Sequence, residues 1–118
     1  MLILFAHGSS DPKWKKPFED LLQKLESKLG KEKVCLAYLE KAKPSLMEVI
    51  KKAIDEEINQ IKILPLFLSS GGHVDRDIPI QVNEIKKLFP EIKIEILEPI
   101  GENTEVIDAI YSAAIQSC

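Results

Sequence analysis

The side chains best suited to chemistry in this sequence are few: two histidines, His7 and His73, a glutamate at Glu40, and Arg76, the one arginine among 16 basic residues. Two imidazoles and a carboxylate with coordination positions left open can hold a borderline divalent ion for chemistry as opposed to structure. Neutral imidazoles can also accept protons near neutral pH. Against this stands the ordinary reading, in which each histidine is a solvated loop residue and Glu40, beside Lys41 and Lys43, is part of a charged approach to a helix. Ser69, Ser70, Gly71 and Gly72 form either a flexible turn or a backbone that can approach a flat ligand closely. Arg76 offers a planar fork for a carboxylate, or a structural pair with Asp75 or Asp77. Trp14 is a loop anchor or an apolar wall for a ligand, and Lys13, Lys15, Lys16, Lys41 and Lys43 add local positive potential or are simply solvated.

The elements that must position these residues follow from the apolar pattern. Short hydrophobic runs at Met1 to Ala6, Val34 to Leu39, Ile61 to Leu68 and Ile92 to Leu97 have the length of buried strands. Helical spacing separates them. Phe18, Leu21, Leu22, Leu25 and Leu29 make one apolar face, stopped by Gly30. Leu46, Val49, Ile50, Ala53 and Ile54 make a second, opened by a capping box of Ser45 and Glu48. Ile78, Val82, Ile85 and Leu88 mark a third, ending before Pro90 and holding Pro79 in its first turn. Val106, Ile107, Ala109, Ile110, Ala113 and Ala114 mark a fourth after Asn103 and Thr104.

Right-handed crossovers convert this βαβαβαβα order into a small doubly wound α/β domain, a four-stranded parallel sheet with helices on both faces. The expected strand order is 2-1-3-4, a shortened flavodoxin-like arrangement, with residues 1–118 forming one domain. Ligands of such sheets bind beyond the carboxyl ends of the strands, where the winding reverses, here between the first and third strands. His7 follows the first of these and His73 the second, while Glu40 follows the second strand, on the other flank of the first. Neighbouring strands lie about 4.8 Å apart, so side chains from adjacent strand ends can meet on one ion.

Composition narrows the classes of function. A formal charge of −3 argues against a nucleic-acid binder. The longest apolar run, Ile63 to Leu68, contains Pro65 and is far short of a membrane span. No basic region precedes the first apolar stretch, so a cytoplasmic protein is expected. Two cysteines, Cys35 and Cys118, make neither a disulfide framework nor a thiolate cage. The five glycines form no Walker A loop and no G-x-G-x-x-G, and there is no G-x-S-x-G elbow. The His-Gly pair lacks the preceding arginine of histidine phosphatases, having Ala6 there.

Ala-His-Gly-Ser-Ser at 6 to 10, Leu-Glu-x-x-x-Pro-Ser-Leu at 39 to 46, Pro-Leu-Phe-Leu-Ser-Ser-Gly-Gly-His-Val at 65 to 74, and the closing Glu98-Pro99-Ile100-Gly101 together resemble the sirohydrochlorin chelatases over essentially the whole chain. This class II chelatase resemblance implies ATP-independent insertion of a divalent metal into a sirohydrochlorin-type tetrapyrrole. It implies Co²⁺ as first choice, in cobalamin or related biosynthesis, with Ni²⁺ or Fe²⁺ as the alternative, the latter in siroheme formation. The metal is then a substrate and no cofactor is permanently bound. Longer members carry two such domains, so a short chain is implied to form a homodimer. His7 and His73 match the family's metal-binding and catalytic histidines, and Glu40 its acidic residue. Ser10, Ser69, Ser70, Gly71, Gly72 and Arg76 would meet the substrate. The rival classes are a non-catalytic metal or tetrapyrrole carrier on the same rim and an FMN-binding module.

Overall fold

The structure, a computed structural model, describes residues 1–69 and 73–118, the side chains of residues 73–75 excepted. Four strands, β1 (Leu2–Ala6), β2 (Val34–Tyr38), β3 (Gln60–Pro65) and β4 (Lys93–Ile96), alternate with helices α1 (Pro12–Leu29), α2 (Leu46–Asp55), α3 (His73–Leu88) and α4 (Thr104–Gln116). The sheet is parallel throughout in the order β2-β1-β3-β4, the arrangement expected from the apolar pattern.

Alternation along the strands splits the core in two. Ile3 and Phe5 of β1 with Ile61 and Ile63 of β3 face one side, where Leu46, Val49 and Ile50 of α2 and Ile78, Val82 and Ile85 of α3 cover them. Leu4 and Ala6 with Val34, Leu36 and Tyr38 face the other, against Trp14, Phe18, Leu22 and Leu25 of α1. Phe5, Ile3, Leu46 and Ile50 are fully buried, each such side chain contributing about 1.5–3 kcal/mol of hydrophobic stabilisation.

Several boundaries differ from those the periodicity predicts. Helix α1 begins at Pro12, six residues before the first periodic apolar position, because the Asp11 carboxylate accepts from the Lys13 N–H at 2.9 Å and Pro12 suits the first turn. Trp14 is therefore helical and not a loop residue, stacking on Phe18 at 4.7 Å and meeting Tyr38 at 6.1 Å. Lys13, Lys15 and Lys16 lie on the same helix, and Lys16 pairs with Asp20 one turn on. Helix α3 begins at His73, so Pro79 lies inside the helix and not in its first turn, and it cannot donate to the carbonyl of residue 75. Strand β3 ends at Pro65, and Leu68 is exposed. Ser45 caps α2 as expected, accepting from the Glu48 N–H at 3.2 Å.

Candidate active site

Past the carboxyl end of β1 the ladder to β2 continues beyond the regular strands. The Leu39 N–H donates to the Ala6 carbonyl at 2.9 Å and the Glu40 N–H to the His7 carbonyl at 3.0 Å. Lys41, at φ +62, then turns the chain toward α2, and the Tyr38 N–H donates to the Pro44 carbonyl at 2.9 Å. These bonds hold Glu40 beside His7 by backbone alone, and the side chains complete the approach: His7 Nε2 lies 2.9 Å from Glu40 Oε1.

Gly8 is what allows this proximity. It sits at φ +106 and is buried, and a Cβ built there would stand 1.7 Å from the Glu40 carbonyl oxygen. Only glycine combines that backbone angle with such close contact.

The third strand supplies a wall. Phe67, two residues beyond β3, presents its ring edge-on to His7 at 6.5 Å and to Phe5 at 6.5 Å. A 3-10 turn at Ile100–Glu102 fastens this segment from below: the Gly101 N–H donates to the Phe67 carbonyl at 3.0 Å, and a Cβ on Gly101 would collide with the Leu68 backbone.

The His7 and Glu40 side chains are 38% and 49% exposed, so a ligand can reach both. An exposed pair of this kind contributes about 0–1 kcal/mol to folding, too little to explain the backbone that brings it together. Chemically it offers two things. An ionised carboxylate only accepts, so a neutral His7 with its proton on Nε2 carries its lone pair on Nδ1. In the other tautomer, with the ring proton on Nδ1, a divalent ion between the two side chains would be held by Nε2 and Oε1, which stand 2.9 Å apart, close to the roughly 3.0 Å between adjacent ligands at ~2.1 Å.

His73 stands at the first residue of α3, on the same carboxyl edge, with its side chain outside the described residues. Ser70, Gly71 and Gly72 also lie outside them. Ser10, Ser69 and Arg76 are all exposed on that edge: Ser10 just before the Asp11 cap, Ser69 after β3, Arg76 in the first turn of α3. Among the described residues the ion pairs are His7–Glu40 and Lys16–Asp20, so Arg76 is not paired with Asp77. No group of three or more His, Cys, Asp or Glu poised around a metal occurs among the described residues. Gly8, Phe67 and Gly101 are the positioning residues that the spacing of chemical side chains does not single out. The signal available for Gly8 was its place directly after a histidine at a strand end.

Among the described residues, hollows lie along the β2 edge between α1 and α2 and beneath the amino ends of β1, β3 and β4. Near the first of these Tyr38, whose hydroxyl is pushed up by burial and then by the charge of Glu19, anchors α1 and takes no part in the rim.

The CbiX family model matches residues 1–117, nearly the full length described above. The chain belongs to the CbiX family. It is 32% identical over 111 residues to a sirohydrochlorin cobaltochelatase of Sulfurisphaera tokodaii, covering 92% of this chain and 86% of that relative. It is 23% identical to a sirohydrochlorin ferrochelatase of Bacillus subtilis over 93% of this chain and 42% of that longer protein. The solved CbiX protein of cobalamin (vitamin B12) biosynthesis from Marinobacter aquaeolei VT8 superposes with a TM-score of 0.87 at 32% identity, covering 99% of this chain and 93% of that one. In the CbiX fold, then, the His7–Glu40 pair lies on the carboxyl edge between β1 and β2, with His7 at the end of one of the two strands that flank the reversal of winding.

Proposed function

We propose that this chain inserts a divalent metal, Co²⁺ in the first place, into sirohydrochlorin without ATP. The observation that carries the reading is the His7–Glu40 pair, built by backbone bonds between two strand ends on the edge where His73 begins α3, in a chain of the CbiX family. The names of its relatives, cobaltochelatase and ferrochelatase, supply the substrate class and keep Fe²⁺ as the alternative metal, with Ni²⁺ beside it.

Insertion requires removing water from the ion and taking two protons from pyrrolic nitrogens. His7 and Glu40 serve as adjacent ligands that replace water, and His73 as a further ligand or a base for the pyrrolic protons. Arg76 and residues 69–72 meet the carboxylates of the macrocycle, with Ser10 and Ser69 adding hydroxyl donors. The metal is a substrate, so the protein keeps no resident cofactor. One four-stranded unit offers one wall to a large ring, which supports a homodimer, and the length of the Bacillus relative, more than twice the matched segment, agrees with that reading. A cytoplasmic location is part of the same proposal; among the described residues no helix is long and apolar enough to cross a membrane.

The test is anaerobic incubation with sirohydrochlorin and each of Co²⁺, Ni²⁺ and Fe²⁺, followed by visible absorption. Insertion well above the uncatalysed rate for at least one metal is expected. Stoichiometric binding of metal or tetrapyrrole with no turnover would replace the enzyme by a carrier.

A further inference from the structure

One position on the core stripe of α3 is polar. Ile78, Val82 and Ile85 are buried against the sheet, and Gln81 completes the same 3,4,7 spacing where an apolar side chain is the rule. An amide placed among apolar side chains costs stability unless it is hydrogen-bonded. Gln81, half-buried, finds its partner on the chain that follows β2: its Nε2 donates to the Leu39 carbonyl at 3.4 Å. Leu39 is 8% exposed, and among the described residues Gln81 is the donor to that carbonyl.

The bond falls on the peptide unit that aims Glu40. That unit consists of the Leu39 carbonyl and the Glu40 N–H, and the latter donates to the His7 carbonyl at 3.0 Å. The Leu39 N–H, just before it, donates to the Ala6 carbonyl at 2.9 Å. Held from the β1 side alone, the unit could still pivot about the line of these two bonds and swing the Glu40 carboxylate with it. Gln81 holds it from another element and removes that freedom. Helix α3 is also the helix that opens on His73, so the same bond ties the element carrying the second histidine to the arm carrying Glu40. Among the described residues no other α3 side chain hydrogen-bonds to this rim.

We propose that Gln81 is a positioning residue for metal insertion: by holding the Leu39 carbonyl it fixes the Glu40 carboxylate beside His7 and in register with the helix that begins at His73. It acts through Glu40 and not on the ion, so its loss is read in metal handling and turnover and not in binding of the macrocycle.

This inference rests on the reading of His7 and Glu40 as a metal-insertion site, and the experiment separates the two. Gln81→Met keeps the length of the side chain without the donor, whereas Gln81→Lys keeps a donor of at least equal reach. Each full-length chain is measured for amide hydrogen exchange at Glu40, for Co²⁺ binding without tetrapyrrole, and for anaerobic insertion into sirohydrochlorin at saturating Co²⁺. In Gln81→Met the Glu40 amide should exchange about 3–10-fold faster while the β1 and β3 amides keep their wild-type rates. Co²⁺ should bind about 3–10-fold more weakly, and kcat should fall with KM for the tetrapyrrole unchanged. Gln81→Lys should restore most of each property. A wild-type Glu40 amide with wild-type Co²⁺ affinity in Gln81→Met overturns the proposal. Equal losses in Gln81→Met and Gln81→Lys also overturn it, since Gln81 is then a packing residue. A wild-type chain that neither binds nor inserts Co²⁺ overturns the metal-insertion reading, and the Glu40 amide in Gln81→Met still decides whether Gln81 holds that peptide. Gln81→Glu, whose ionised carboxylate only accepts, takes the place of Gln81→Met should the latter fail to fold.

Discussion

Replacing Gly8 by alanine tests whether the close approach of two loops makes the site. The added Cβ would stand 1.7 Å from the Glu40 carbonyl oxygen, where real contacts keep at least 3.0 Å, so the β1–α1 and β2–α2 connections must part by about 1.3 Å. That displacement stretches the His7 Nε2 to Glu40 Oε1 contact from 2.9 Å to about 4.2 Å, beyond hydrogen bonding. It also strains the Glu40 N–H bond to the His7 carbonyl. Backbone strain at φ +106 costs about 1–3 kcal/mol. The lost hydrogen bond adds about 0.5–1.5 kcal/mol. A fall in Tm of about 6–18 °C follows for a chain of this size. Misplacing a ligand by an ångström should lower metal insertion about 10²-fold. Gly30→Ala is the control. Gly30 has a similar φ, +99, but its Cβ would meet only the carboxylate end of the Glu32 side chain, which can swing aside, and it lies at the far end of α1. Gly30→Ala should lose stability and keep its rate per folded molecule, whereas Gly8→Ala should lose both. If Gly8→Ala inserted metal at the wild-type rate per folded molecule, the link between loop contact and catalysis would be refuted.

Other outcomes follow from the same geometry. His7→Ala and His73→Ala should each lower anaerobic insertion by about 10²–10⁴-fold while thermal unfolding stays cooperative; near-normal rates in both would remove them from the site. Glu40→Gln keeps the shape and a hydrogen bond to His7 but loses the charge, so metal titration should show weaker binding with Tm changed by less than the effect of Gly8→Ala. Arg76→Ala, at an exposed position not paired with Asp77, should raise KM for the tetrapyrrole more than it lowers kcat; an unchanged KM would exclude it from substrate binding. Burial pushes the Cys35 thiol up from 9.0 to about 11, so a thiol reagent near pH 8 should label exposed Cys118 first, as mass spectrometry of a time course would reveal. Because the unfolded thiol ionises at lower pH than the folded one, the contribution of Cys35 to stability is present below about pH 9 and is lost as pH rises toward 11, measurable as a falling Tm.

The strands, their order and the edge on which His7 and Glu40 meet were legible in the sequence because each rests on a local pattern. Buried parallel strands must be continuously apolar, and the βα alternation with right-handed crossovers leaves few topologies. The same reasoning carried His7 and Glu40 to one edge, since residues that follow adjacent parallel strands lie side by side. The starts of α2 and α4 were legible from their caps, Ser45 and Asn103, but those of α1 and α3 were not. Apolar periodicity marks only the stripe that touches the core, and the first turns of α1 and α3 overhang the carboxyl edge, where polar side chains carry no period. For this reason the sequence leaves Trp14 between a loop anchor and an apolar wall for a ligand, whereas the structure makes it part of α1. The approach of Gly8 to Glu40 and the fastening of Phe67 by Gly101 depend on contacts between residues 32 or more positions apart. A sequence read along its length reports propensity and burial demand one segment at a time. Which glycine stands against which carbonyl is decided only when the segments share space.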